Sequence, residues 1–598
     1  MFFVYICFEI NSFFPKKLIT FTMKGNFYYI IFFFILFFEI SIAQSPDWLW
    51  AKSIGGTSFE YSYSITTDAS GYVYTTGYFH QVIDFDPGPA VYNLGSPTGQ
   101  FIYISKFSNS GNLVWARAFG GTGYNTGASI IIDPSTADVY ITGAFGGTVD
   151  FDPDTGIYNL TAKGGIDIFI CKLDSAGNFV WAKAMGGLGY EVGLSIAVDS
   201  TAGGGIYVTG TFDDKVDFDP GSGVFSLISN GSTDFFVSKL DTSGNMIWTK
   251  ATGGPESDYV RQIVLGPPGS GDLYLTGWFS DTVDFDSGLG TLNLISSGGY
   301  DIYIVKMNNA GNMIWSKRFG GILYDKGMSI AVDTKGSGTI YETGVFYETV
   351  DFDPGSGTFN LVATVGDIFV SKYDSSGNFI WAKSFGGPMD DYGFSIALDP
   401  MGTGDVYTTG YFQQSTDFDP GPGTYHISSV GNTDIFISKL DSAGNFVWVK
   451  AMGGYEPDVG LSVTLNHFGN IFLTGMFFSA SMQLGVFTLT NANNFGGSSD
   501  IFISKLDHFT TEVESIKNSS SFSIYPNPTS GNSLIYFDSF KKITKVSVID
   551  ITGKIIFASG EQSTSKFEIS SKDFAEGVYL IRIQEGDYTE TKKLIVIR

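Results

Sequence analysis

The chain has 598 residues, with 60 Asp and Glu against 34 Lys and Arg for a formal charge of −26. That balance repels nucleic acid and suits a soluble extracellular surface or the company of divalent cations. Cys7 and Cys171 are its two cysteines, and Cys7 falls in a leader, so no intrachain disulfide is expected.

Residues 1–43 read as that leader. Met23 and Lys24 precede the apolar run FYYIIFFFILFF, which SIAQ follows. Met23 is the expected true start, 23–43 the signal peptide, and Ala43 the last residue removed. The run is shorter than the roughly 20 residues that a membrane span needs. Loss of the leader removes three Lys and two Glu and leaves a charge of −27.

The rest of the chain repeats. Trp50, Trp115, Trp181, Trp248, Trp315, Trp381 and Trp448 recur every 65 to 67 residues, the mark of a repeat architecture. One unit runs from Ser195 to Gly254 through SIAVDS, GIYVTGTF, VDFDPGSGVFSLIS and DFFVSKLDTSGNMIWTKATGG. Its segments are short, rich in Val, Ile, Tyr, Phe and Thr, and bounded by Gly, Asp, Ser or Asn, which predicts four principal strands per unit. Residues 438–450 (SKLDSAGNFVWVK) read as a hairpin, with Gly444 and Asn445 able to take positive φ. Apolar residues on both faces of IYVTGTF imply sheets covered on both sides, as in blades stacked around an axis. Cys171 stands in IFICKLD where other copies carry Ser, and reads as a small strand residue.

The ends of the array complement one another. The last DIFISKLD, at 500–507, has no GNFVWAK after it, and PDWLWAKS at 46–53 supplies that strand with no partner before it. Their pairing predicts a seven-bladed ring closed by a composite blade, which removes unpaired edges. An open solenoid would end in polar capping repeats. Through DIFISKLDSAGNFVW and the VYxTGxF strand, residues 46 to 508 resemble the bacterial β-propeller repeat. The resemblance implies an all-β propeller over 44–509 in a surface or secreted protein, and no shared enzymatic activity.

The motif VDFDPGSG at 216–223 returns at 350–357, with near copies in four other units. A strand's period of two points Asp217 and Asp219 one way and Phe218 the other. Two readings stay open: a Ca²⁺ site completed by backbone carbonyls, or a turn that the second Asp caps and Pro and Gly shape. The calcium reading concerns Asp84, Asp86, Asp150, Asp152, Asp217, Asp219, Asp284, Asp286, Asp351, Asp353, Asp417 and Asp419. No other cofactor is called for. Lys239 and Lys250 recur in every unit as candidate counter-charges. Acid–base catalysis needs two carboxylates in unlike environments, and six near-identical copies do not offer them. His80, His426, His467 and His508 lack ligand spacing and read as loop residues.

The units differ at the residue before the invariant Phe of TGxF: Tyr78, Ala144, Thr211, Trp278, Val345, Tyr411 and Met476. Phe79, Phe145, Phe212, Phe279, Phe346, Phe412 and Phe477 read as core. The variable position is either packing between unlike blades or a ligand-facing site with aromatic platforms at Tyr78, Trp278 and Tyr411. In the seventh unit SASMQLGVF replaces the acidic loop.

Residues 510–521 (TTEVESIKNSSS) read as a polar linker, and 522–598 give about seven alternating strands, which fits a small β-sandwich. YPNP at 525–528, VIDITGK at 548–554 and GVYLIRI at 577–583 resemble the C-terminal sorting domain of the bacterial type IX secretion system. The residues that carry the likeness are Pro526, Asn527, Pro528, Asp550, Gly553, Gly577 and Tyr579. The resemblance implies handling by the outer-membrane type IX export machinery, transit through the periplasm, and release or attachment at the surface. The expected function is a non-catalytic, secreted or surface-displayed monomeric propeller for binding or adhesion, with a glycan or protein ligand and no nucleic acid. The alternatives are an exported polysaccharide hydrolase and a structural surface-layer component.

Overall fold

The computed structural model describes residues 45–598 except 202–203, 287, 289, 494–496, 508–521, 526, 528, 544, 551–553, 561, 573, 586–587 and 598. The expected leader, the linker, His508, Pro526, Pro528 and Gly553 lie outside the described residues. Among those residues the regular elements are all β-strands.

Six four-stranded antiparallel sheets and one six-stranded sheet, a four-stranded blade extended by a short hairpin, follow one another along residues 48–506. In the unit read above, the strands are Val192–Asp199, Gly205–Phe212, Asp234–Leu240 and Met246–Thr252, paired in that order from inside to outside. The two middle strands are buried on both faces. The last sheet holds Asp458–Leu465, Ile471–Phe477 and Asp500–Leu506, and its outer place is filled by Trp48–Ile54 from the start of the array. Trp50 stands opposite Lys505 and Ile54 opposite Ile501.

The hairpin at 438–450 turns on Gly444 at φ +79°, while Asn445 keeps a negative φ. One left-handed residue suffices because Asp441 N bonds to the Asn445 carbonyl and closes a three-residue loop ending on Gly444; a separate register slip falls between Lys439 and Leu440. Asp441 Oδ1 accepts the amides of Ala443 and Asn445 and holds the turn.

Each inner strand carries a bulge at its middle, as between Gly193 and Ser195. The Ser beyond the bulge reaches the next blade. Ser64 Oγ accepts the amide of Ile130 (3.3 Å), Ser129 that of Ile196 (3.3 Å) and Ser195 that of Ile263 (3.2 Å). Gln262, Ser329 and Ser395 continue the series to Ile330, Ile396 and Val463. Ser462 then returns it to Ile65 at 3.3 Å. The outer strands have their own latch. Trp50 and Trp248 donate from Nε1 to the carbonyls of Asn109 and Asn309 in the next blade's turn, at 3.0 and 3.1 Å. The turn glycines Gly111 and Gly177 lie so close to the Trp50 and Trp115 rings that a Cβ would crowd them. Phe79, Phe145, Phe212, Phe279, Phe346, Phe412 and Phe477 are fully buried. So is Cys171, whose thiol burial pushes up.

Two further sheets are formed from Phe522 onward, one of Phe522–Tyr525, Asn532–Ile543 and Gln562–Ser570, the other of Ile555–Ala558, Lys545–Asp550, Gly577–Glu585 and Tyr588–Val596. Their facing residues, among them Phe522, Ile535, Val548, Ile581 and Leu594, share one core, as in a β-sandwich.

Deleting residues 46–53 exposes the edge of Asp500–Leu506 and is expected to cause aggregation or a lower melting temperature; Trp50→Ala alone should cost about 3 to 5 kcal/mol. Chemical denaturation checks this, and an unchanged midpoint for both variants contradicts the pairing's contribution.

Candidate functional site

The bulges decide what faces the axis. A bulged residue has no partner opposite it, and Tyr63, Ala128, Leu194, Arg261, Met328, Phe394 and Leu461, one from each inner strand, line a cavity of about 250 Å³. Because all seven sheets contribute to it, the cavity lies on the axis. Its wall also includes the Ser residues of the inter-blade bonds and Tyr124. Among the described residues Arg261 has no carboxylate within ion-pair distance. Burial pulls its guanidinium below the ordinary value, with Tyr63 acting the other way, yet an arginine stays charged.

The aromatic trio singled out by the sequence stands behind this wall. Tyr78 stacks on Tyr61 (4.9 Å) and lies 6.0 Å from Tyr63, which lines the cavity. Tyr411 stacks on Tyr392 (5.1 Å) and lies 5.8 Å from the cavity-lining Phe394. Trp278 stacks on Tyr259 at 5.3 Å, and Lys326 Nζ stands 5.4 Å from its ring. Burial pushes the Tyr63, Tyr78 and Tyr411 hydroxyls up. Alternation along a strand could not reveal Tyr63, Phe394 and Arg261, because the bulge shifts the facing by one residue.

The acidic loops have a local architecture. Phe85, Phe151, Phe218, Phe285, Phe352 and Phe418 are fully buried; Phe151 packs between Phe145 of its own blade and Phe119 of the preceding one. In the seventh blade Met482 is buried instead. The flanking carboxylates accept amides of their own loops. Asp217 Oδ1 takes Asp219 N (3.2 Å) and Phe225 N (2.9 Å), and Asp219 Oδ1 takes Gly221 N (2.8 Å). Asp84 and Asp86, Asp150 and Asp152, Asp284 and Asp286, Asp351 and Asp353, and Asp417 and Asp419 repeat the pattern. Calcium wants six to eight oxygens, and each of these carboxylates has one oxygen committed to its loop; at Asp217 the second is taken too, by Lys163 Nζ at 3.1 Å. Among the described residues no three acidic, His or Cys side chains gather in a metal-holding group. The recurring strand lysine is engaged elsewhere: Lys239 Nζ lies 5.2 Å from the Tyr207 ring. His80 bonds to the Phe59 carbonyl, His467 stacks on Phe468, and His426 stands 4.0 Å from Asp417.

A second set of carboxylates went unrecognised in the sequence. Glu60, Glu191, Asp258, Asp325, Asp391 and Asp458 each meet an Asp of the preceding blade, namely Asp500, Asp167, Asp234, Asp301, Asp367 and Asp434. All of them are buried. They meet over the Gly-Gly pair that closes each outer strand. Asp234 lies against Gly253, where a side chain would collide with it, and Gly254 N donates to Asp258 at 2.6 Å. Oδ1 of Asp167, Asp234, Asp301, Asp367, Asp434 and Asp500 has no hydrogen-bond partner among the described residues. Arg318 pairs with Asp301. At the one remaining junction both acids are gone, replaced by Phe101 and a buried Asn125 that bonds to the Gln100 carbonyl. Burial first, and then the neighbouring acid, push Glu60 up to about 8 and Asp258 to about 7; burial alone is the main cause for Asp500, at about 6. The signal was present as Gly-Gly at 66- or 67-residue spacing beside Asp or Glu.

In the C-terminal domain Asn527 Nδ2 donates to the Lys593 carbonyl and its Oδ1 accepts Ile595 N, which fastens the start of the domain to its last strand. Asp550 Oδ1 accepts Lys554 N. Tyr579 is buried and donates to the Ala575 carbonyl at 2.8 Å, and Gly577 opens its strand.

The sheet topology defines an all-β propeller. Residues 523–597 match the family described as Secretion system C-terminal sorting domain, so the chain carries an export signal and its place is outside the cell or on its surface. An uncharacterized WD repeat-containing protein of Acanthamoeba polyphaga mimivirus is 23% identical over 64% of this chain and 33% of its own length. The regulatory protein FlaEY of Caulobacter vibrioides is 29% identical over 30% of this chain and 19% of its own. The chain thus spans about a third and a fifth of the length of these curated relatives. Among solved structures, the WD40 propeller domain of Doa1 aligns over 78% of this chain and 98% of its own at 10% identity, with a TM-score of 0.37. Sqt1 of Chaetomium thermophilum aligns over 76% and 100% at 9% identity, with a TM-score of 0.27.

Two outcomes are expected. Asn accepts the same loop amide as Asp, so Asp219→Asn should change stability by less than about 0.5 kcal/mol and chelator should shift melting only slightly; calorimetric titration revealing several tight calcium sites would reverse this. Carboxyls titrate near 4 when unfolded, whereas burial in the fold pushes Glu60, Glu191, Asp258 and Asp500 up to between about 6 and 8. Their raised values favour the fold fully below pH ~4, and that contribution is lost as pH rises through 6 to 8. Melting temperature should fall from pH 5 to pH 8.5, with a shallower slope in Asp234→Asn plus Asp258→Asn; a rising profile contradicts it.

Proposed function

We propose that the chain is an exported, non-catalytic binding propeller whose ligand docks on the face around the axial cavity. The observation that supports this most is the broken symmetry there. The loop acids repeat one pattern of backbone hydrogen bonds, whereas the bulge positions vary among the blades, from Ala128 to Arg261 and Phe394. A site that recognises one molecule needs such asymmetry, and convergent polar groups within an aromatic wall are the usual form of a ligand pocket. The exposed Tyr124 extends the aromatic surface outward, as do Phe59, Tyr190 and Tyr324 on the corresponding loops of other blades. Adhesion to a glycan or a protein fits that surface. A hydrolase would need two carboxylates of unlike environment, and the cavity wall holds none.

The sorting domain supports passage through the periplasm and the outer membrane, after which the propeller acts outside. Deleting 522–598 is expected to leave a folded propeller in the periplasm; normal amounts of the truncated protein in the medium would contradict the export reading. For binding, the full chain is screened against glycan and cell-surface protein arrays. Tyr63→Ala plus Phe394→Ala should weaken capture at least tenfold with melting little changed. Unchanged capture, or turnover of a chromogenic glycoside, would overturn the assignment.

A further inference from the structure

We infer that the axial cavity takes the carboxylate of a small organic acid, held by Arg261 and by the ring of inward hydroxyls; this rests on the axial face being the binding face.

The first argument is an inventory of donors. A hydroxyl offers one hydrogen and accepts at its oxygen. Ser64, Ser129, Ser195, Ser395 and Ser462 each use the oxygen to accept an amide of the next blade. Their hydrogens have no acceptor among the described residues, and all five side chains line the cavity. Ser329 differs: it spends its hydrogen on Gln262 Oε1 at 2.8 Å. Ring closure therefore turns the acceptor side of these hydroxyls toward the protein and leaves the donor side for the lumen.

The second argument is charge. Arg261 is the cavity's one cationic side chain, and no ion pair or hydrogen bond engages it among the described residues. An unpaired guanidinium in a chain of charge −26 is an opening for an anion. Its planar fork matches a carboxylate's two oxygens. The same net charge repels a polyanion, so the complement is an isolated negative charge.

Size sets the body of the ligand. A cavity of about 250 Å³ lies just under the 300 to 1,000 Å³ range of drug-sized sites, so one ring or one residue enters. Tyr63, Tyr124 and Phe394 give that body a face to stack on, while its acid end goes to Arg261.

The test is calorimetric titration of the full chain with sodium glucuronate and with N-acetylglycine, beside glucose and N-acetylglycinamide as uncharged counterparts. One acid should bind at least tenfold more tightly than its neutral counterpart. Tight glucuronate identifies a uronic-acid source, and tight N-acetylglycine a peptide-terminus source. Arg261→Gln should abolish the preference with an unchanged melting temperature, because Arg261 makes no bond to the fold, and Arg261→Lys should retain part of it. No binding of either acid, equal binding of the neutral partner, or full affinity in Arg261→Gln would overturn the inference. If array capture persists in Arg261→Gln while neither acid binds, the face still binds but does not read a carboxylate.

Discussion

One hydrogen bond, repeated from blade to blade, organises this molecule. A side-chain oxygen on each inner strand, a Ser hydroxyl in six cases and the Gln262 amide in the seventh, takes the amide that the neighbour's strand offers sideways, and the series ends where it began, at Ile65 and Ser462. The bond exists because a bulge interrupts each inner strand: the skipped residue is thrown toward the axis and the next Ser is aimed at the neighbouring blade. The same irregularity therefore fastens the ring and builds the cavity wall. Inner strands could not be regularised without losing both.

Much of this was legible in the sequence. The tryptophan period marked the repeat of the sheets, and the half-units PDWLWAKS and DIFISKLD pointed to the partnership seen between Trp48–Ile54 and Asp500–Leu506. For DFDPG the sequence left a calcium site and a capped turn open; in the fold Phe218 is buried, and Asp217 and Asp219 both accept amides of their loop. Strand alternation, however, carries no notice of a bulge, so the sequence pattern marks Tyr78 and Tyr411 and not Tyr63 and Phe394, on which they lean. The paired acids were missed for a different reason. Their partners lie in adjacent units, and only the joint replacement by Phe101 and Asn125 shows that the two positions belong together.

Those acids also show how the fold balances its charge. Many of the carboxylates sit in loops where backbone amides receive them, and others are sealed between blades, where burial favours the protonated form. Glycine makes this possible: Gly55, Gly186 and Gly253 leave the space that the carboxylates fill. The C-terminal sandwich has its own core, so the signal for export and the propeller are separately packed parts of one chain.

If the ring of bonds is the foundation, its amides must be protected together. Hydrogen exchange of the full chain, resolved at Ile65, Ile130, Ile196, Ile263, Ile330, Ile396 and Val463, tests this most directly. All seven are expected to exchange at one slow rate set by opening of the whole ring. Fast exchange at Ile65, with the other six protected, would mean that the bonds hold blades in a row but do not close the circle.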